Sequence, residues 1–140
     1  MPAQNQAPEG AGTVADSVGN WVDRLAPPVT RPYLRLSRAD RPAGTWLLLL
    51  PCWWSVLLAS LHLGSFSWTA LWVMIVCAIG AFLMRAAGCT WNDITDRKID
   101  ASVARTRSRP IPAGLVSVRG AYVWMAVQAA VSFLILITFY

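Results

Sequence analysis

The 140-residue chain is 56% hydrophobic and 14% charged, with eight tryptophans and a formal net charge of +5. An ordinary soluble domain carries about 25% charged residues, so the composition excludes that class. The positive balance does not mark a nucleic-acid binder, because its Lys and Arg sit where membrane-orientation signals sit.

The chain opens on "MPAQNQAPEGAGTVADSVGN", rich in Ala, Gly, Pro and Gln, with Glu9 and Asp16 as its only charges. It has neither the basic start and apolar core of a signal peptide nor the Arg-rich character of a transit peptide. Residues 1–33 are therefore expected to form a flexible cytoplasmic tail, and residues 34–140 a membrane domain. The missing transit signal favours a bacterial inner membrane over a mitochondrial one. Arg35, Arg38 and Arg41 precede the first apolar run and read as inside-anchors, not ligands.

Between Arg41 and Arg85 the only titratable cationic side chain is His62, and no charge follows Arg119. Apolar runs of about 20 residues match the roughly 30 Å hydrocarbon layer. Three spans are predicted, at about 43–63, 67–88 and 120–140, the first bent by Pro51. Each run is continuously apolar and not alternating, which predicts helices and an all-α, polytopic transmembrane bundle. The second span is rich in small residues (Ala78, Gly80, Ala81, Ala86, Ala87, Gly88) that let neighbouring helices approach closely. His62 reads as interfacial, and the Trp53–Trp54 pair as packing or lipid contact. Cys52, Cys77 and Cys89 show no spacing of a disulfide framework or metal site. All twelve Lys and Arg lie on one side of these spans, which places the N-terminus and the 91–119 loop in the cytoplasm. The last run ends at Tyr140 without a polar flank, so the chain is expected to be the first part of a longer protein.

The chemistry concentrates in "TWNDITDRKIDASVARTRSRPIPAG" (residues 90–114), which holds three aspartates, one asparagine and five cations. If the second helix continues past Trp91, Asn92, Asp96 and Asp100 stack at i, i+4 and i+8, with Arg85 on the same face and Asp93 at its edge. Such an oxygen stripe among cations suits Mg²⁺ bound together with a diphosphate, because Mg²⁺ takes few carboxylates and completes its shell with water and phosphate oxygens. Arg and Lys would neutralise the remaining phosphate charge. The spacing alone leaves open a solvated, self-neutralising loop, and Arg85 could equally snorkel to the interface. An EF-hand is disfavoured against both readings by its missing 1-3-5-12 pattern and central Gly.

"NDITDRKID" (92–100) fits the NDxxDxxxD motif of the UbiA superfamily of intramembrane aromatic prenyltransferases, and "RTRSRPIPAG" (105–114) resembles its trailing RTxxRPxPxG segment. "MRAAGCTWNDITDRKID" and "RADRPAGTWLLLLPCWWS" resemble most closely the 4-hydroxybenzoate polyprenyltransferase branch, over about residues 34–119. One departure is Arg41, where the family commonly has Lys; the charge survives. The resemblance implies a nine-helix bundle with a second aspartate motif that these residues do not supply, so the isolated chain is expected to be inactive. It also implies the site: Mg²⁺ on Asn92, Asp96 and Asp100; Asp93, Asp96 and Asp100 catalytic; Arg85, Asn92, Lys98, Arg105 and Arg109 on the diphosphate. The substrates implied are a polyprenyl diphosphate and 4-hydroxybenzoate, met within the lipid bilayer, with no nucleic acid involved. Two alternatives stand: a related prenyltransferase with a haem, chlorophyllide or naphthoquinone-type acceptor, or a non-catalytic membrane protein that binds Mg²⁺-diphosphate.

Overall fold

The computed structural model describes residues 20–138. Six helices follow in order: α1 (Trp21–Leu25), α2 (Arg31–Leu36), α3 (Ala43–His62), α4 (Trp68–Thr95), α5 (Arg97–Ser102) and α6 (Val118–Ile137). Among the described residues there is no strand. α3, α4 and α6 are long and apolar enough to cross a membrane. α4 lies in the middle and packs against both others.

Local chemistry sets the boundaries. Ser67 and Ser117 cap α4 and α6, their hydroxyls accepting from the Ala70 and Gly120 amides at 3.1 and 3.0 Å. Pro51 sits inside α3 and removes one backbone donor. Gly64, at φ +67°, supplies the left-handed turn between α3 and α4. Trp53 donates its indole N–H to Met74 O at 3.0 Å and so locks α3 to α4, whereas Trp54 is exposed. Most side chains on the three spans point outward and are apolar, which is stable where the solvent is lipid.

The second helix runs seven residues beyond its expected end at 88, through the start of the aspartate motif. The third starts at Val118, and the end expected at 140 lies outside the described residues, as do residues 1–19 of the expected tail. Residues 20–33 are not a featureless tail: Asn20 caps α1, and Val22 and Ala26 are buried.

A small core seals the motif end of the bundle. Leu36, Ile94, Ile111, Val116 and Ala121 cluster there, with Tyr33 and Trp124 packed on them. Fully burying each of the Leu, Ile and Val side chains is worth about 1.5–3 kcal/mol. This core folds the turn-rich 103–117 segment back beneath the end of α4. Thr106 ties the segment down by donating its hydroxyl to Asp100 O at 3.1 Å.

Candidate functional site

Three pieces of chain converge on a polar cleft of about 370 Å³ at the motif end of the bundle. α4 contributes Arg85, Cys89, Asn92, Asp93 and, at its end, Asp96; the turn before α3 contributes Arg38 and Arg41; the 103–117 segment contributes Arg105, Thr106 and Arg109. Five arginines thus surround two carboxylates.

Asp93 is the centre of this arrangement and is fully buried. Its Oδ1 accepts from Arg38 Nη2 at 2.6 Å and from Arg109 Nη1 at 3.3 Å. Arg109 Nη1 also donates to Asp100 Oδ2 at 2.8 Å. Oδ2 of Asp93, Nε of Arg85 and Nε of Arg109 are buried without a hydrogen-bond partner among the described residues. Buried polar atoms are rarely left so, and these three border one cleft, as a site awaiting a polar ligand requires.

The aspartate stripe is only partly realised. α4 continues to Thr95, and the Asp96 and Asp100 amides bond to Asn92 O and Asp96 O, each at 2.8 Å. The backbone bends at Asp96 (φ −86°, ψ 1°), where Arg97 Nη1 donates to Ile94 O at 2.7 Å and satisfies a carbonyl at the end of α4. The bend carries Asp100 off the cleft lining and onto Arg109. Asn92 and Asp96 stay on the cleft; Asp93, expected at the edge, occupies its middle. Lys98 is exposed and outside the lining. Among the described residues no three His, Cys, Asp or Glu side chains form a group able to hold a metal ion by themselves.

Arg85 does not snorkel away. Its guanidinium lies on the first turn of α3 at Gly44, where a Cβ would stand 2.2 Å from Nε and 2.6 Å from Cζ. Any side chain there would displace the guanidinium, which gives the glycine of the "RPAGTW" stretch a structural reason. Deeper in the bundle, α3, α4 and α6 border an open apolar cavity of about 670 Å³, with Leu48, Val76, Gly80, Phe133 and Leu136 in its wall.

Arg38 overturns its reading as a plain inside-anchor. α2 ends in a Schellman motif: Arg38 N–H bonds to Arg35 O and Ala39 N–H to Leu34 O, both at 3.0 Å. The position after the cap is left-handed, and here Arg38 takes φ +55° where glycine is usual. That conformation costs a non-glycine residue about 1–2 kcal/mol, and it aims the guanidinium at Asp93. Ser37 braces the turn, its Oγ accepting from Trp124 Nε1 and Gln128 Nε2, each at 2.8 Å. Arg41 also reaches the cleft, whereas Arg35 pairs with Asp23. Between them, burial pushes the Asp40 carboxyl above its ordinary pKa, against its own backbone hydrogen bond and the pull of Arg41, Arg38 and Arg35.

A family model described as the UbiA prenyltransferase family matches residues 48–140. The chain is 47% identical over 109 residues to the mitochondrial 4-hydroxybenzoate polyprenyltransferase of Aedes aegypti, covering 78% of this chain and 24% of that protein. It is 43% identical over 116 residues to the mitochondrial enzyme of that name from Saccharomyces cerevisiae (83% and 31% covered). It is 45% identical over 108 residues to the 4-hydroxybenzoate octaprenyltransferase of Vibrio atlanticus (77% and 36% covered). The chain thus matches about a quarter to a third of the length of these relatives. No solved structure matches it.

Proposed function

The chain belongs to the UbiA prenyltransferase family, and from that premise we propose that it supplies the diphosphate-binding wall of an integral membrane enzyme. The reaction is transfer of a polyprenyl group from a polyprenyl diphosphate to the ring of 4-hydroxybenzoate, in ubiquinone synthesis, with Mg²⁺ as cofactor. One observation carries this reading: five arginines converge on a cleft with only two carboxylates, which makes an anion receiver. The relatives, which are 4-hydroxybenzoate prenyltransferases by name, suggest the acceptor.

Mg²⁺ fits the donors present. Asn92 and Asp96 offer hard oxygens on the cleft, and Asp93 Oδ2 is buried without a partner among the described residues. The incomplete protein set suits an ion whose shell is finished by water and phosphate oxygens. When bound, Mg²⁺ lowers the energy of charge building on the departing diphosphate. Arg85, Arg105 and Arg109 hold the diphosphate oxygens, and Arg38 and Arg41 close the same side of the cleft. Asp100 acts through Arg109 by fixing its direction. Lys98 takes no part. Breaking the allylic C–O bond leaves the carbon electron-poor, and the arginines stabilise the leaving group's charge. The ring carbon ortho to the phenol then forms the new C–C bond and loses its proton. The apolar cavity below the cleft receives part of the prenyl chain, whose burial contributes about 0.8 kcal/mol per CH₂. The uneven placement of Lys and Arg supports a cytoplasmic face for the cleft, and the N-terminal residues, without the Arg-rich character of a transit peptide, favour a bacterial inner membrane.

The test is prenylation of labelled 4-hydroxybenzoate by membranes carrying the protein, with and without EDTA and against haem, chlorophyllide and naphthoate acceptors. Mg²⁺-dependent product with 4-hydroxybenzoate supports the reading. Product with another acceptor only would correct the substrate. Diphosphate binding without any transfer would leave a binding protein.

A further inference from the structure

α1 is turned the wrong way for a helix in water. Its inner face buries Val22 and Ala26; Leu25 points away from the protein, 79% exposed, and Trp21, whose indole N–H turns inward, still leaves its ring 47% exposed. Val29, in the link to α2, is 81% exposed. Arg24 lies exposed beside Leu25, and Arg31 begins α2, its Nε donating to Ala26 O at 2.8 Å. A short segment with an apolar outer face and arginines along it has the composition of an element lying in a membrane interface.

Its depth agrees. Trp21 donates its indole N–H to Ala39 O at 3.2 Å, which holds α1 against the turn that leads into α3. Tyr33 of α2 packs on Trp124, with ring centroids 5.3 Å apart. Trp124 is six residues into α6, about 9 Å along its axis from the first residue at 1.5 Å per residue. α2 therefore runs beside the part of a spanning helix that enters the membrane, and not above it. Between α2 and α6 lies a groove of about 510 Å³, lined by Leu34, Val123 and Val127 with the rings of Tyr33 and Trp124. Thr30, next to Arg31, stands at its edge.

We propose that residues 21–36 form an interfacial anchor that docks on anionic phospholipid. Arg24 and Arg31 take the headgroup phosphate, Trp21, Leu25 and Val29 enter the acyl boundary, and the groove between α2 and α6 takes an acyl chain. Charge complementarity selects an anionic lipid, and continuity with the spanning helices places the groove at the depth of acyl chains.

The protein in phosphatidylcholine nanodiscs with and without phosphatidylglycerol supplies the test, with Cys52, Cys77 and Cys89 replaced by Ala. Spin labels on Leu25→Cys and Val29→Cys should be relaxed more by oxygen than by a water-soluble nickel complex, at depths of about 5–10 Å. Labels relaxed mainly by nickel would overturn the anchor. So would labels shielded from both reagents, because protein and not lipid would then cover the segment. Selectivity for spin-labelled phosphatidylglycerol should fall about fivefold for each of Arg24→Gln and Arg31→Gln. Unchanged selectivity would overturn the headgroup assignment.

Discussion

Gly44→Ala separates the structure of the cleft from the stability of the bundle. The added Cβ would stand 2.2 Å from Arg85 Nε, where ordinary contact begins at 3.4 Å. The guanidinium must therefore retreat by about 1.2 Å. It is the far end of a flexible side chain, so the helices need not move and unfolding should change by less than about 1 kcal/mol. Function should respond far more, because a displacement of about 1 Å at a charge-stabilising group can cost about 100-fold in rate. The assay is steady-state prenyl transfer beside thermal unfolding in one detergent. Gly88→Ala is the control: nothing stands within 4 Å of its added Cβ, so it should leave activity unchanged. A Gly44→Ala protein with normal kcat/KM would refute both the packing of Arg85 on α3 and its part in the reaction.

The other residues of the cleft give separable outcomes. Asp96→Ala should abolish Mg²⁺-dependent transfer while membrane insertion, followed by extraction resistance, stays normal. Asp93→Asn should destabilise the protein by about 2–3 kcal/mol, read from thermal unfolding; breaking a fully buried pair costs about 3–5, but Arg109 keeps Asp100 and both guanidiniums are partly exposed. Arg38→Gly relieves the left-handed backbone by about 1 kcal/mol yet strips Asp93 of its nearest cation; KM for the diphosphate substrate should rise at least tenfold. Asp40→Asn should stabilise the protein at neutral pH, because burial disfavours the ionised carboxylate. A raised folded pKa means the cost is present above that value and vanishes below the unfolded one, so the gap between variant and wild type should close as pH falls through that window. A gap that widens on acidification would show that Asp40 is stabilised as an anion.

How much of this was legible follows from how local each signal is. The spans could be read because each is an unbroken apolar run; the continuation of the second helix into the motif stood only as a condition, because the apolar run gives out at Gly88 and the residues from there to Thr95 are mixed in character. Asn92, Asp93, Asp96, Arg85, Arg105 and Arg109 all reach the cleft that their spacing and the family motif suggested. Asp100 and Lys98 lie off the cleft lining because the chain bends at Asp96, and no Gly or Pro announces that bend; a side chain bonding to a carbonyl at the end of α4 marks it instead. Arg38 was missed because a left-handed residue after a helix is recognised by glycine, and here it is arginine. Ser37, Trp124 and Gln128 had no signal at all, since the bonds joining them span 87 and 91 residues.

The same placement explains why a membrane protein keeps Asp93 fully buried. Arg38 and Arg109 both bond to one oxygen of it, so their charged nitrogens lie at most about 6 Å apart. At an effective dielectric constant of 20, two such charges repel by about 3 kcal/mol. Without the carboxylate they would swing apart, and an arriving diphosphate would have to gather them at the expense of its own binding energy. With it, the guanidiniums are already convergent, and two carboxylates against five arginines still leave the cleft attractive to a polyanion. Asp96, exposed on the open side, has no arginine bonded to its carboxylate among the described residues and can meet a cation. On the proposed function, two aspartates three residues apart divide the work: Asp93 holds the arginines together, and Asp96 faces the cation that would accompany the anion.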